Sequence, residues 1–104
     1  MAQVLPVDPQ VQAGQVQFKQ TAPNNLNIQQ STAKAIVNWR DFSIGEGASV
    51  QINQPDASAI LLNRVTGGQV SQLNGRLSAN GQVWLINPNG VLFGKNSVVS
   101  SHGI

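Results

Sequence analysis

Residues 83–95 read Val-Trp-Leu-Ile-Asn-Pro-Asn-Gly-Val-Leu-Phe-Gly-Lys, two apolar runs held apart by four turn formers. β-Branched and aromatic side chains pack well on a pleated surface, so each run suits a buried strand. Pro88 fixes φ and removes a backbone donor, while Asn89-Gly90 tolerates positive φ. The local reading is strand, tight corner, strand. The same punctuation recurs along the chain at Gly45-Glu46-Gly47, Gln54-Pro55-Asp56, Gly67-Gly68, Asn74-Gly75 and Asn80-Gly81. Between the corners lie segments of strand character at 35–39, 50–53, 60–65, 70–73, 83–86, 91–93 and 97–99. In the first two, Ala35, Val37 and Trp39 alternate with Lys34, Asn38 and Arg40, and Val50 and Ile52 alternate with Gln51 and Asn53. Apolar spacing of three and four is not sustained, so helices longer than about two turns are not expected.

Strands of about five residues with corners every eight to fifteen fit a sandwich or a solenoid. Asn-Gly pairs equally close hairpins. One internal echo leans toward the solenoid: Leu73-Asn74-Gly75-Arg76-Leu77 resembles Pro88-Asn89-Gly90-Val91-Leu92. The residues themselves leave both architectures open.

Composition narrows the function. With 104 residues the chain has room for one domain with a modest core. Only 10% of residues are charged, against eleven Asn and thirteen Gln. Such a surface is polar without charge, which suits stacked β turns whose corners take Asn and Gly. A hydrophobic content of 40% argues against a disordered amide-rich tract over most of the chain. The net charge is +2, and Lys19, Lys34, Arg40, Arg64, Arg76 and Lys95 are scattered rather than clustered. Nucleic-acid binding calls for a basic stripe, so no nucleic-acid partner is expected. The absence of Cys fits passage through an oxidising compartment. No run approaches the ~20 apolar residues of a spanning helix, so no membrane insertion is expected. The Met1-Ala2-Gln3 start has neither the basic region nor the apolar core of a signal peptide.

The tetrad Asn87-Pro88-Asn89-Gly90 resembles the NPNG signature of the two-partner secretion (TPS) domain, found at the start of large exported adhesins and contact-dependent toxins of Gram-negative bacteria. Filamentous haemagglutinins and high-molecular-weight adhesins are members of that family. Further blocks follow in family order. Residues 35–44 resemble its Ile-Asn-Trp-x-x-Phe-x-Ile strand, Asn63-Arg64-Val65-Thr66 matches an Asn-Arg-Val-Thr block, residues 69–75 resemble the turn that follows, and Asn80-Gly81-Gln82-Val83 leads into the signature. The match departs at Asn53-Gln54-Pro55-Asp56, where many members carry Asn-Pro-Asn-Leu. That departure is shared with the subfamily resembling the high-molecular-weight adhesins and makes the tetrad a secondary motif position.

The resemblance implies an all-β fold, a right-handed parallel β-helix (solenoid) with additional antiparallel strands near the N-terminus. It implies an N-terminal strand or cap segment at 1–26 and a β-helix domain at 27–104, with Leu85, Val91, Phe93 and Val99 in the apolar column. The family's domain continues past Ile104, so the chain is expected to be a truncated fragment whose native leader was removed and to which Met1 was added. The function implied is a secretion signal: recognition in the periplasm by the POTRA domains of a partner outer-membrane transporter, then nucleation of β-helix folding outside the cell. The implied location is secreted or on the cell surface. An open rung invites self-association.

Two other readings stand beside it, a β-helical carbohydrate-active enzyme and a purely structural β-solenoid module. Asp8, Asp41, Asp56 and Glu46 are the only carboxylate side chains, and three fall between 41 and 56. Asp41 beside Arg40 and Asp56 after Pro55 read as turn residues, and Glu46 lies between two glycines, so a glycosidase pair is not expected. A single His102 without Cys cannot form a zinc site without help from Asp or Glu, and a triad is not expected. No cofactor is expected. For Asn87, Pro88, Asn89 and Gly90 the direct reading is corner geometry, with transporter recognition as the functional one. Trp39 suits a core anchor or a docking surface. Trp84, inside a continuous apolar run, is expected in the core.

Overall fold

Alternating segments bury one face only when a second layer meets them, and this chain supplies that layer by folding back on itself. The computed structural model describes residues 5–94 and the backbone of a strand at 98–100; among these there are eleven strands and no helix. They are β1 (Gln10–Ala13), β2 (Val16–Ala22), β3 (Asn25–Gln30), β4 (Lys34–Trp39), β5 (Ser49–Asn53), β6 (Ile60–Val65), β7 (Ser71–Leu73), β8 (Arg76–Ala79), β9 (Gln82–Ile86), β10 (Val91–Phe93) and β11 (Val98–Ser100). The protein is all-β. β4, β5, β6 and β10 coincide closely with the segments read from alternation. β2, β3 and β8 are strands that alternation missed, because Gln, Asn, Ser and Thr fill their outward positions and blur the pattern.

Three sheets result, in the orders β1-β4-β6-β9, β11-β8-β5-β3-β2 and β10-β7. From β3 onward every strand pairing is parallel, and the chain returns to each sheet in turn. Antiparallel pairing among the described strands is confined to β1 on β4 and β2 on β3. Each circuit lays residues in register on those of the circuit before. Ala35, Leu61 and Val83 form one inward file, Val50 and Leu77 another, and Ile44, Leu73 and Phe93 a third. Except for Phe93, these residues are buried.

The interior begins around Trp39. Its ring meets Phe18 and Phe42 edge-to-face, with centroids 5.4 and 5.3 Å away. That geometry places the positive ring edge against the negative face. Of the two roles open to Trp39, the structure gives it the core.

The expectation for Trp84 is corrected. Val83 and Leu85 take the inward places on β9, so strand parity turns Trp84 and Ile86 outward, where they are 48% and 49% exposed. A run apolar on both faces conceals its parity. The column assignment is corrected at Phe93 as well. Its register is inward, on Leu73, yet it is 59% exposed, β10 being an edge strand of its two-stranded sheet among the described residues. Leu85 and Val91 are half-buried and pack on the core, as column residues should. Val99 lies on β11, whose side chains are outside the described residues.

Candidate functional site

The 87–90 corner joins β9 to β10. Gly90 N–H donates to Asn87 O at 2.9 Å, closing a four-residue turn with Asn at its first position, Pro at its second and Gly at its fourth. This is the residue pattern of a type I turn. Of the Asn89-Gly90 pair only Gly90 has positive φ, at 105°. Asn89 therefore serves through its side chain and not through backbone tolerance.

Both asparagines tie this corner to the preceding one. Asn87 Nδ2 donates to Gln69 O and to Ser71 Oγ, each at 2.9 Å, while its Oδ1 accepts from Asn89 N at 2.9 Å. Asn89 Nδ2 donates to Gly67 O at 2.9 Å, with longer contacts to Asn87 Oδ1 and Gln69 O. Ser71 N–H returns a bond to Gly90 O at 3.0 Å. The tetrad thus satisfies backbone carbonyls of a corner about twenty residues earlier. Pro88 and Asn89 are exposed, and Asn87 and Gly90 are half-buried.

The secondary position is built differently. Asn53 ends β5 and is half-buried, and Pro55 and Asp56 are exposed, but Gln54 is buried. Gln54 Nε2 donates to Gln30 Oε1 at 3.1 Å, Gln82 O at 3.0 Å and Ala59 O at 3.3 Å. Gln54 Oε1 accepts from Gly81 N at 2.8 Å, and the Gln54 backbone exchanges two bonds of 2.7 Å with the Asn80 side chain. Gln30 Nε2 in turn donates to Thr32 O and Ile60 O. Gln30, Gln54 and Gly81 occupy equivalent places on three successive circuits. Glycine is required at the third, because a Cβ there would come within 2.8 Å of the Gln54 amide. Asp56 accepts from the Ser58 hydroxyl at 2.8 Å and the Ser58 N–H at 2.9 Å. These bonds, the hydroxyl's first, favour its charged form and hold its pKa below the ordinary aspartate value.

Sequence reasoning missed this amide stack and one further residue. Asn63 is fully buried, accepts from Trp39 Nε1 at 2.9 Å and donates to Trp84 O at 3.2 Å. The signal for the stack was present: Ile28-Gln29-Gln30 and Ile52-Asn53-Gln54 are near-repeats 24 positions apart, as the spacing of the Gln30–Gln54 bond records.

None of the described grooves brings two carboxylates together. The groove at Asp41, Ser43 and Gln72 holds one, and that at Asp8, Asn38 and Thr66 holds one, with Asp8 3.2 Å from Arg40. A groove of about 400 Å³ on the five-stranded sheet, lined by Thr21, Asn25, Gln51, Arg76 and Ser78 among others, holds none. No cluster of three or more metal-ligating side chains occurs among the described residues.

The strands from β3 onward thus lie in parallel register, and asparagine side chains tie the 87–90 corner to the 67–71 corner. Residues 2–104 match the TPS secretion domain family, and the chain belongs to it. It is similar to a heme/hemopexin-binding protein of Haemophilus influenzae strain Rd, 42% identical over 84 residues, which cover 81% of this chain and 9% of that protein. A second heme/hemopexin-binding protein of Haemophilus influenzae is 38% identical over 91 residues, covering 88% and 10%. The crystal structure of the HMW1 secretion domain from Haemophilus influenzae superposes with a TM-score of 0.87 at 38% identity, over 92% of this chain and 25% of that one. The chain therefore spans about a tenth of the curated relatives and a quarter of the HMW1 secretion domain. TPS proteins work with a TpsB outer-membrane transporter and are secreted through the outer membrane of Gram-negative bacteria.

Proposed function

We propose that this chain is the secretion-signal part of a large exported protein. In this reading the POTRA domains of its partner transporter recognise it in the periplasm, and it nucleates a right-handed parallel β-helix once outside. The observation that carries the reading is the order of the sheets: every circuit after β3 is laid in parallel register on the one before. A fold assembled this way has a starting end and a growing end, which suits stepwise folding along the chain. The 87–90 corner supports it by fixing one circuit onto the last through side-chain amides, a role independent of ionic strength or redox state. Recognition by POTRA domains would use the extended, uncharged chain as an added strand, with main-chain bonds supplying affinity. We further propose that 1–26 caps the starting end, that the growing end self-associates when nothing else covers it, and that the chain is not an enzyme. The scarcity of carboxylate side chains, four in 104 residues, supports the last point.

Secretion tests the reading. The chain, preceded by a signal peptide, should reach the medium from a Gram-negative host only when a TpsB transporter of matching type is co-expressed, and the isolated POTRA domains should compete. Appearance in the medium without any transporter would overturn it. Hydrolysis of pectin-like polymers by the purified chain would favour the carbohydrate-active reading instead.

A further inference from the structure

Asparagine followed by glycine is the dipeptide in which a backbone nitrogen most readily attacks a side-chain amide, because glycine has no Cβ to shield that nitrogen. The chain holds three such pairs, Asn74-Gly75, Asn80-Gly81 and Asn89-Gly90. In all three the glycine nitrogen is engaged. Gly75 N–H donates to Ile44 O at 3.1 Å, Gly81 N–H to Gln54 Oε1 at 2.8 Å, and Gly90 N–H to Asn87 O at 2.9 Å. A peptide plane fixed by such a bond does not swing onto the Cγ of the preceding residue.

The three guards are unequal. Gly75 and Gly81 are buried, and each nitrogen is bound to a different circuit of the fold. Asn80 is held as well, because both of its side-chain polar atoms are bonded to the Gln54 backbone. Gly90 is only half-buried and Asn89 is exposed. The bond guarding Gly90 closes within its own turn, and the bonds that hold the Asn89 side chain to Gly67 O and Gln69 O are exposed, so all of them open without unpairing any strand.

We propose that Asn89 is a deamidation site gated by folding, and that its conversion dismantles the corner it belongs to. In this step the Gly90 nitrogen forms a bond to Asn89 Cγ and loses its proton, and the side-chain nitrogen leaves as ammonia. The succinimide so formed takes up one water and opens to aspartate or isoaspartate. Water is the only co-reactant. The structural consequence follows from the donor count. The two N–H groups of Asn89 Nδ2 face three acceptors, Gly67 O at 2.9 Å, Asn87 Oδ1 at 3.1 Å and Gln69 O at 3.5 Å. A carboxylate only accepts, so conversion sets a negative oxygen against three acceptors. The chemistry stands without the export reading, but its biological weight rests on it. A chain held unfolded before passage exposes all three pairs, and one that waits too long loses the corner it later needs.

Peptide mapping by mass spectrometry, with isoaspartate detection, tests this on folded protein and on protein held in guanidinium chloride at the same mildly alkaline pH. All three pairs should convert at comparable rates when unfolded. In the folded protein Asn89 should convert about tenfold or more slowly than when unfolded, on the scale of a local opening equilibrium, with Asn74 and Asn80 slower still. Equal rates for Asn89 in both conditions would overturn the gating. Conversion of Asn74 or Asn80 ahead of Asn89 in folded protein would overturn the ranking. Asn89→Asp, made directly, should lower the denaturation midpoint relative to Asn89→Gln, and coincident midpoints would overturn the claim that conversion breaks the corner. None of these results bears on whether a transporter is needed for secretion, so the two proposals fail separately.

Discussion

The two edges of the strand stack are finished in opposite ways. At the first, β1 lies antiparallel on β4 and β2 antiparallel on β3, so the backbone groups that start the stack are paired. The cover is mostly polar: β1 is exposed along its whole length, and Phe18 of β2 reaches the core by meeting Trp39. At the other edge β9 and β10 end their sheets among the described residues, and Phe93, in inward register, is 59% exposed, while Trp84, Ile86 and Leu92 add apolar surface on the outward faces of the same strands. Closing a sheet edge therefore needs backbone pairing more than apolar area, whereas an unclosed edge leaves backbone groups and an inward-register side chain uncovered. Reversal of strand direction is the device that distinguishes them, because a parallel strand extends the circuit while an antiparallel one ends it.

If the first edge is where the fold is anchored, damage there should cost most. Trp39→Ala removes the largest buried side chain, both edge-to-face contacts and the donor to Asn63. We expect a loss of about 3–5 kcal/mol, the range for deleting a buried aromatic, read as a lowered urea midpoint. A loss no larger than that of an exposed substitution would mean that the anchored edge lies elsewhere.

The middle of the stack should rank next. Gln54→Leu has nearly the right volume but leaves Gly81 N–H, Gln82 O and Gln30 Oε1 without the bonds Gln54 gave them. Unsatisfied buried groups cost about 1–3 kcal/mol each, so a loss of roughly 2–4 kcal/mol is expected after relaxation. Gln54→Glu sharpens the point, since it keeps the shape and the acceptor at Oε1 but replaces the donor. Equal stability of all three proteins would show that the amide stack is incidental to register.

How far the sequence disclosed this arrangement depended on which side chains carried the pattern. Where inward β-branched residues alternate with outward polar ones, as in Val50-Gln51-Ile52 or Ala35 to Trp39, the strands were legible to within a residue or so. Corners rich in Gly, Asn and Pro were legible for the same local reason. Facing in 83–86 was not, because Trp84 and Ile86 are as apolar as the inward Val83 and Leu85. The strands before Asn27 were hidden by the amide residues that fill their exposed positions. The sheet order was not legible from the residues at all, since parallel pairing joins positions 20 or more apart and leaves no local mark. At the 87–90 corner the turn was legible, but the partners of Asn87 and Asn89 on the previous corner were not. The buried Gln54 lay inside a motif position noted only for departing from its family's pattern.

The late corner should be less costly than either interior site. Gly90→Val forces a β-branched residue to φ 105°, where L side chains are strained, although Val70 leaves room for the Cβ itself at 3.6 Å. About 1–3 kcal/mol is expected, the scale of stored backbone strain. Asn89→Val should cost less, because Asn89 lacks positive φ and gives up only exposed side-chain bonds. A reversed order of the two urea midpoints would place the value of this corner in the amide and not in the glycine.

The smallest effect on stability belongs to the open edge, and it is the most informative about what that edge does. Trp84 and Ile86 project from the outer face of β9, whose far side has no described partner. Replacing both with Ser removes apolar surface that is already half in water, so the midpoint should move by only about 0.5–1 kcal/mol. Association should respond more strongly. An edge strand with exposed apolar side chains and few charges pairs readily with another copy. The mass measured by light scattering should rise with concentration for the parent protein and less steeply for the double variant. Deleting 1–20 should steepen it, because removal of β1 and most of β2 opens the first edge as well. If deletion changes nothing while the double variant abolishes association, only the late edge pairs and the antiparallel strands are no cap. If all three proteins stay monomeric at every concentration, unpaired edge strands in this fold are already protected, and the contrast between its two edges is one of exposure alone.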